Sequence, residues 1–103
     1  MAVYSKYDKK NSILHISTPS KLDESCFHDF KSAFENRDVL ITPKIYQIDF
    51  NNTDDINSTG LLLILSLFYY AKDHDATVKL VNIKPQVKRF LIENQYNEMV
   101  ELG

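Results

Sequence analysis

One junction constrains this chain more than any other. The run Ile45–Phe50 (IYQIDF) is rich in β-branched and aromatic residues, the composition of a strand. It passes through a polar loop that ends in Ser58-Thr59-Gly60, and the apolar stretch Leu61–Ala71 (LLLILSLFYYA) begins at once. Apolar residues occupy nearly every face of that second segment, so as a helix it is either well buried or meets a partner. The junction also sets two hydroxyls at the mouth of a helix. Unpaired backbone N–H groups and the positive end of the helix dipole favour an anion there. A serine in that place is suited to gaining and losing a phosphate.

The rest of the chain supplies the layers around this junction. Val3–Lys9 and Ser12–Ser17 read as strands, with Asp8-Lys9-Lys10-Asn11 as a hairpin turn between them. Thr18-Pro19-Ser20 breaks the pattern. Asp23 is placed to cap a helix over Glu24–Asn36, where Phe27, Phe30 and Phe34 form an apolar stripe. Asn36–Lys44 is a loop containing Pro43. Within Ile45–Phe50, Tyr46, Ile48 and Phe50 point one way and Ile45, Gln47 and Asp49 the other, as in a central strand covered on at least one face. Asp73-His74-Asp75 ends the apolar helix. Thr77–Ile83 is another strand, with Val78, Leu80 and Asn82 on one face. Pro85 suits the first position of a helix carrying Val87, Phe90, Leu91 and Asn94. Tyr96–Leu102 is a last short helical or extended segment. The order β-β-α-β-α-β-α implies parallel crossovers and a mixed sheet with helices packed on it.

Composition narrows the function classes. At 103 residues the chain is read as a single domain spanning 1–103. A formal net charge of −2 lacks the basic footprint of a nucleic-acid binder. There is no signal-peptide pattern, and Leu61–Ala71 is roughly half of the ~20 residues needed to span a bilayer, so no direct membrane insertion is expected. The single cysteine, Cys26, excludes an internal disulfide and fits a reducing cytoplasm. There are two glycines, Gly60 and Gly103, so no glycine-rich phosphate loop can be written.

Individual residues then sort by chemistry. Ser58 is a good capping residue as well as a phosphate acceptor, and the two roles are compatible because a cap position exposes the hydroxyl. Thr59 reads as a structural cap or secondary contact. Gly60 permits the close approach of a partner or a tight helix entry. Leu62 or Leu63, near the helix start, is expected to reach a partner surface flanking Ser58. Asp49, Asp54 and Asp55 are read as a strand end and a solvated loop, since nothing completes a metal shell. Cys26 is read as a packing residue rather than a nucleophile served by His15, His28 or His74. No catalytic set, cofactor or metal is expected.

Three pieces together resemble one family. The stretch IDFNNTDDINSTGLLLILSLFYYAKDHDATVKLVNIKPQVKRFLIENQYNEMVEL is similar to the core of a STAS domain. Asp49 matches the strand aspartate of that pattern, Asn57-Ser58-Thr59-Gly60 its loop motif, and VKLVNIKPQVKRFLIENQ its last strand and helix. Upstream, SKLDES resembles the "GxLD" segment, with Asp23 at the aspartate. Asn57 stands where the family usually has aspartate, and Ser20 where it has glycine. The resemblance implies an α/β STAS fold, a mixed four- to five-stranded sheet with three to four helices packed on it. It further implies a bacterial, cytoplasmic anti-sigma factor antagonist, a monomer without chemistry of its own. In such proteins a GHKL-type serine kinase, often the anti-sigma factor itself, phosphorylates the first hydroxyl of the motif, here Ser58. A PP2C-type phosphatase reverses it, and only the unmodified form binds the partner. Asp23, Asn57, Ser58, Thr59, Gly60, Leu62 and Leu63 would frame the docking surface. The alternative within the family is an accessory subunit of an ABC-type lipid transporter, although such subunits often carry Thr in place of the acceptor serine.

Overall fold

The computed structural model describes residues 3–35 and 42–94, and the backbone alone of 101–102. Strands β1 (Tyr4–Asp8) and β2 (Ile13–Ser17) form the antiparallel hairpin, closed by the Asp8 carboxylate. That carboxylate accepts from the Asn11 backbone N–H at 3.2 Å and from its side-chain amide at 2.8 Å. The chain then gives β3 (Lys21–Leu22), a 3₁₀ turn (Glu24–Cys26), α1 (Phe27–Glu35), β4 (Ile45–Asp49) and β5 (Asp55–Ile56). Helix α2 (Ser58–Asp73), β6 (Thr77–Val81), α3 (Pro85–Glu93) and β7 (Glu101–Leu102) complete it. The main sheet runs β1-β2-β4-β6-β7, with every pair after the first parallel, as crossover helices require. Beside it lies a second, two-stranded sheet, β3 with β5, also parallel.

The period of two along the strands places the core. Leu14, Tyr46 and Val78 stand side by side across β2, β4 and β6, as do Ile16, Ile48 and Leu80, and all six are buried. The alternate rows, among them His15, Gln47 and Lys79, stay partly or fully exposed. The sheet therefore has one wet face and one dry face. On the dry face α2 contributes Leu63, Ile64, Leu67 and Ala71, and α3 contributes Val87 and Leu91. Edge-to-face rings join α1, α2 and β4: Phe34 to Tyr70 at 5.2 Å and Tyr70 to Tyr46 at 6.2 Å between centroids.

Several expectations need correction. The first helix opens with a 3₁₀ turn, whose tighter winding rotates the stripe. Cys26, Phe30, Ala33 and Phe34 face the core, while Phe27 is 55% exposed under the Lys31 ammonium. The strand expected over Thr77–Ile83 stops at Val81, because Asn82 adopts a left-handed backbone (φ 56°). The apolar helix begins at Ser58, one turn before Leu61, and runs to Asp73. Asn36 and most of the Asn36–Lys44 loop lie outside the described residues, as do 96–100 of the expected terminal segment. Pro43 is buried, and Glu101–Leu102 adds a parallel edge strand to β6.

Candidate functional site

The two short strands build the site. In register, Lys21 faces Asp55 and Leu22 faces Ile56, and each strand runs straight into a helical start. The residues after them, Asp23 and Asn57, are both N-caps, so two capped turns begin side by side. The Asn57 backbone N–H donates to the Leu22 carbonyl across the pair at 3.4 Å. Asp23, Asn57, Ser58, Thr59 and Gly60 are thus brought to one corner of the molecule.

The loop that delivers this corner is pinned from inside. Thr53 is fully buried, and its hydroxyl donates to the Pro19 carbonyl at 2.7 Å. That commits the Thr53 proton, so the buried Thr18 hydroxyl donates to Thr53 across 2.6 Å. The backbone N–H groups of Asp54 and Asp55 donate to the Ser20 carbonyl at 2.8 and 3.1 Å. The Lys84 ammonium, at the N-cap of α3, pairs with the Asp54 carboxylate. The Asp49 carboxylate accepts from Asn51 N–H and the Asn82 amide. These carboxylates hold backbone and partners, and among the described residues no group of three or more His, Cys, Asp or Glu could hold a metal ion.

At the corner itself the cap is Asn57, not Ser58. The Asn57 side-chain oxygen accepts from the Gly60 N–H at 3.0 Å. Its amide nitrogen donates to Glu24, at the start of the 3₁₀ turn, at 2.9 Å. Ser58 is therefore the first helical residue. It is exposed, and its hydroxyl has no hydrogen-bond partner among the described residues. Its own N–H and that of Thr59 lie in the first turn of α2, where the helix dipole is positive. The adjoining turn, strand and loop carry four carboxylates, Asp23, Glu24, Asp54 and Asp55. Hydrogen bonds from the Ser25 hydroxyl and N–H hold the Asp23 carboxyl below its ordinary pKa.

The remaining candidates separate. Leu62, one turn beyond Ser58, is 63% exposed and extends the corner's surface. Leu63 is 2% exposed and belongs to the core, because the next residue on a helix turns about 100° inward; it leaves the partner-facing set. Gly60 is buried too. A β-carbon there would stand 2.2 Å from the Leu22 carbonyl oxygen and 2.8 Å from Ile56 Cγ1. The close approach it permits is that of β3, not of a partner. Thr59 is half-buried. Cys26 is buried with its thiol 3.3 Å from the Lys21 carbonyl. His15 lies beside Gln47 on the wet face of the sheet, and His28 and His74 are exposed on α1 and just past α2. Glu24 was not legible in advance. Its link to Asn57 depends on the β3–β5 pairing, and two-residue strands carry no periodicity.

Comparisons with known proteins agree with the fold and give the family. The profile of the STAS domain matches residues 4–102. A STAS-domain containing protein of Pseudomonas aeruginosa (strain UCBPP-PA14) is 28% identical over 90 residues, covering 87% of each chain. The solved structure of the anti-sigma factor antagonist SpoIIAA in its unphosphorylated form is similar with a TM-score of 0.71 at 13% identity, covering 88% of this chain and 82% of that one. A sulfate transporter family protein from Wolinella succinogenes is similar with a TM-score of 0.78 at 11% identity, covering 90% and 73%. At these identities the structural likeness speaks for the fold.

Proposed function

The chain belongs to the STAS domain family, and from that membership we propose that it is a phosphorylation-controlled protein-binding switch in a bacterial partner-switching pathway, with Ser58 as the acceptor. The observation that carries this reading is the Ser58 hydroxyl, which has no hydrogen-bond partner among the described residues. It stands exposed at the first residue of α2, and its neighbour Asn57 does the capping that would otherwise engage it.

A phosphate on Ser58 adds about −1.5 to −2 charges at neutral pH. The first turn of α2 can bear that charge locally, through its open N–H groups and its dipole. A protein surface fitted to a neutral hydroxyl cannot, because it would have to desolvate a dianion flanked by Asp23, Glu24, Asp54 and Asp55. The unmodified corner, with Leu62 beside it, is the binding-competent state. The partner is a GHKL-type serine kinase or anti-sigma factor, which brings its own ATP and Mg²⁺. A PP2C-type phosphatase restores the hydroxyl. The protein works as a cytoplasmic monomeric single domain, one partner at a time, and carries no chemistry itself.

Mass spectrometry of the protein from its native host, with pull-downs of wild type, Ser58→Ala and Ser58→Asp, tests the proposal. Phosphate at Ser58, capture of one kinase by the first two forms and its loss with Ser58→Asp are expected. Equal capture by all three would reject the switch. The alternative within the family is an accessory subunit docked on an ABC-type lipid transporter; the sulfate transporter family protein shares the fold at 11% identity, which speaks for the fold and not for that role. Co-purification with a membrane ATPase, independent of the residue at 58, would be its signature.

A further inference from the structure

Asn57 uses both ends of its side-chain amide, and only one end serves the helix. The oxygen caps Gly60 N–H, a task that aspartate or serine performs about as well. The nitrogen has no capping role. It donates to the Glu24 carboxylate across the β3–β5 pair. We propose that Glu24 is a positioning residue for the Ser58 corner, acting through Asn57, and that these two side chains form a matched pair that disfavours a second carboxylate at position 57.

The geometry leads to this in three steps. Glu24 follows the Asp23 cap and opens the 3₁₀ turn, so its backbone is placed by the β3–β5 register. Its carboxylate then holds the Asn57 amide, which in turn holds the Gly60 N–H and with it the first turn of α2. Ser58 lies inside that turn, so the point on the backbone from which its hydroxyl projects is set by the same chain of contacts. Aspartate at 57 would keep the cap and suit the helix dipole, but it would set carboxylate against carboxylate where an N–H···O contact now spans 2.9 Å. The other charged side chains of the adjoining elements are Lys21, Asp23 and Asp55, with Asp54 already paired to Lys84. The Lys21 ammonium acts on the Asp23 carboxyl, and among the described residues Glu24 has no ion pair. The consequence for Ser58 rests on its role as acceptor; the pair itself does not.

The test is a cycle of four full-length proteins: wild type, Glu24→Gln, Asn57→Asp and the double variant. Glutamine at 24 still accepts from Asn57 and can instead donate to an aspartate at 57, so the double variant restores the contact with its polarity reversed. The readout is the hydrogen-exchange rate of the Gly60 amide. At pH 7, Asn57→Asp should speed exchange by about threefold more in the wild-type background than in the Glu24→Gln background. The excess should close as pH falls below about 4, because the repulsion between the two carboxyls requires both to be ionised. A cap role alone would give the same Asn57→Asp ratio in both backgrounds at each pH, and that result overturns the proposal. Phosphate transfer to Ser58 by a GHKL-type kinase from the same host is measured in parallel. If wild type is never labelled, the switch fails, while the exchange cycle still decides the pair.

Discussion

Ser58 owes its freedom to the residue before it. Asn57 takes the capping hydrogen bond, so the two neighbours should respond differently to the same truncation. Asn57→Ala should lower stability by about 1 kcal/mol in urea unfolding, whereas Ser58→Ala should stay within about 0.5 kcal/mol of wild type. The reverse ranking would mean that the serine oxygen is engaged in holding the helix. Acid should find two other residues first. Asp8 and Asp23 are both held below their ordinary pKa of 3.8, by Asn11 and Ser25 respectively. A depressed carboxyl contributes stability above its unfolded pKa and loses it as pH falls through the folded value. Thermal melts should therefore show the Asp23→Ala deficit at pH 6 shrinking steadily below pH about 4. A deficit that does not change with pH would assign it to something other than charge. At this scale the sequence picks out the exposed serine but assigns the cap one residue late. Asn and Ser cap almost equally well, so local preference cannot choose between them. The packing of Gly60 on Leu22 makes the choice, and those residues are far apart in the chain.

Helices and strands were legible where they carry a period. The inward rows of β2, β4 and β6 follow from alternation, and Pro85 announces α3. Two features had no such signal. The strands β3 and β5 are two residues each, too short to alternate, yet they bring Asp23 and Glu24 to Asn57. The 3₁₀ turn before α1 swaps Cys26 for Phe27 on the core side, a rotation that helical spacing cannot foresee. The contacts that join these elements should be costly to disturb. Gly60→Ala gains up to ~1 kcal/mol of helix propensity, but its new methyl would overlap backbone at Leu22. A net loss of about 2 kcal/mol or more is expected in chemical denaturation; a stabilised variant would show that β3 can move aside. Thr53→Val keeps shape but leaves the Pro19 carbonyl without its donor and the Thr18 hydroxyl with only the Asp49 carbonyl, at 3.4 Å. It should cost about 1–3 kcal/mol and raise amide exchange across 50–55, and an unchanged exchange pattern there would argue that water replaces the lost hydroxyl.

For the molecule as a whole, the layered α/β architecture followed from element order, and the family from the ordered motifs. The single wet face of the sheet did not follow, since Ile45, Val81 and their neighbours are apolar enough to have been covered. Phosphorylation at a surface corner should alter charge without altering shape. From a formal net charge of −2, the modified protein gains about 1.5–2 negative charges. It should elute later from an anion exchanger while its hydrodynamic radius and far-ultraviolet spectrum stay those of the unmodified form. An expanded radius would point instead to a switch that works by unfolding. The missing side chain at Gly60 adds a mechanical constraint. With no methyl between them, the start of α2 rests on the backbone of β3, so there is no cushion under the serine. Pressure applied there is passed straight into the strands, so if the proposed partner docks at this corner, any adjustment for a snug encounter has to be made on its side.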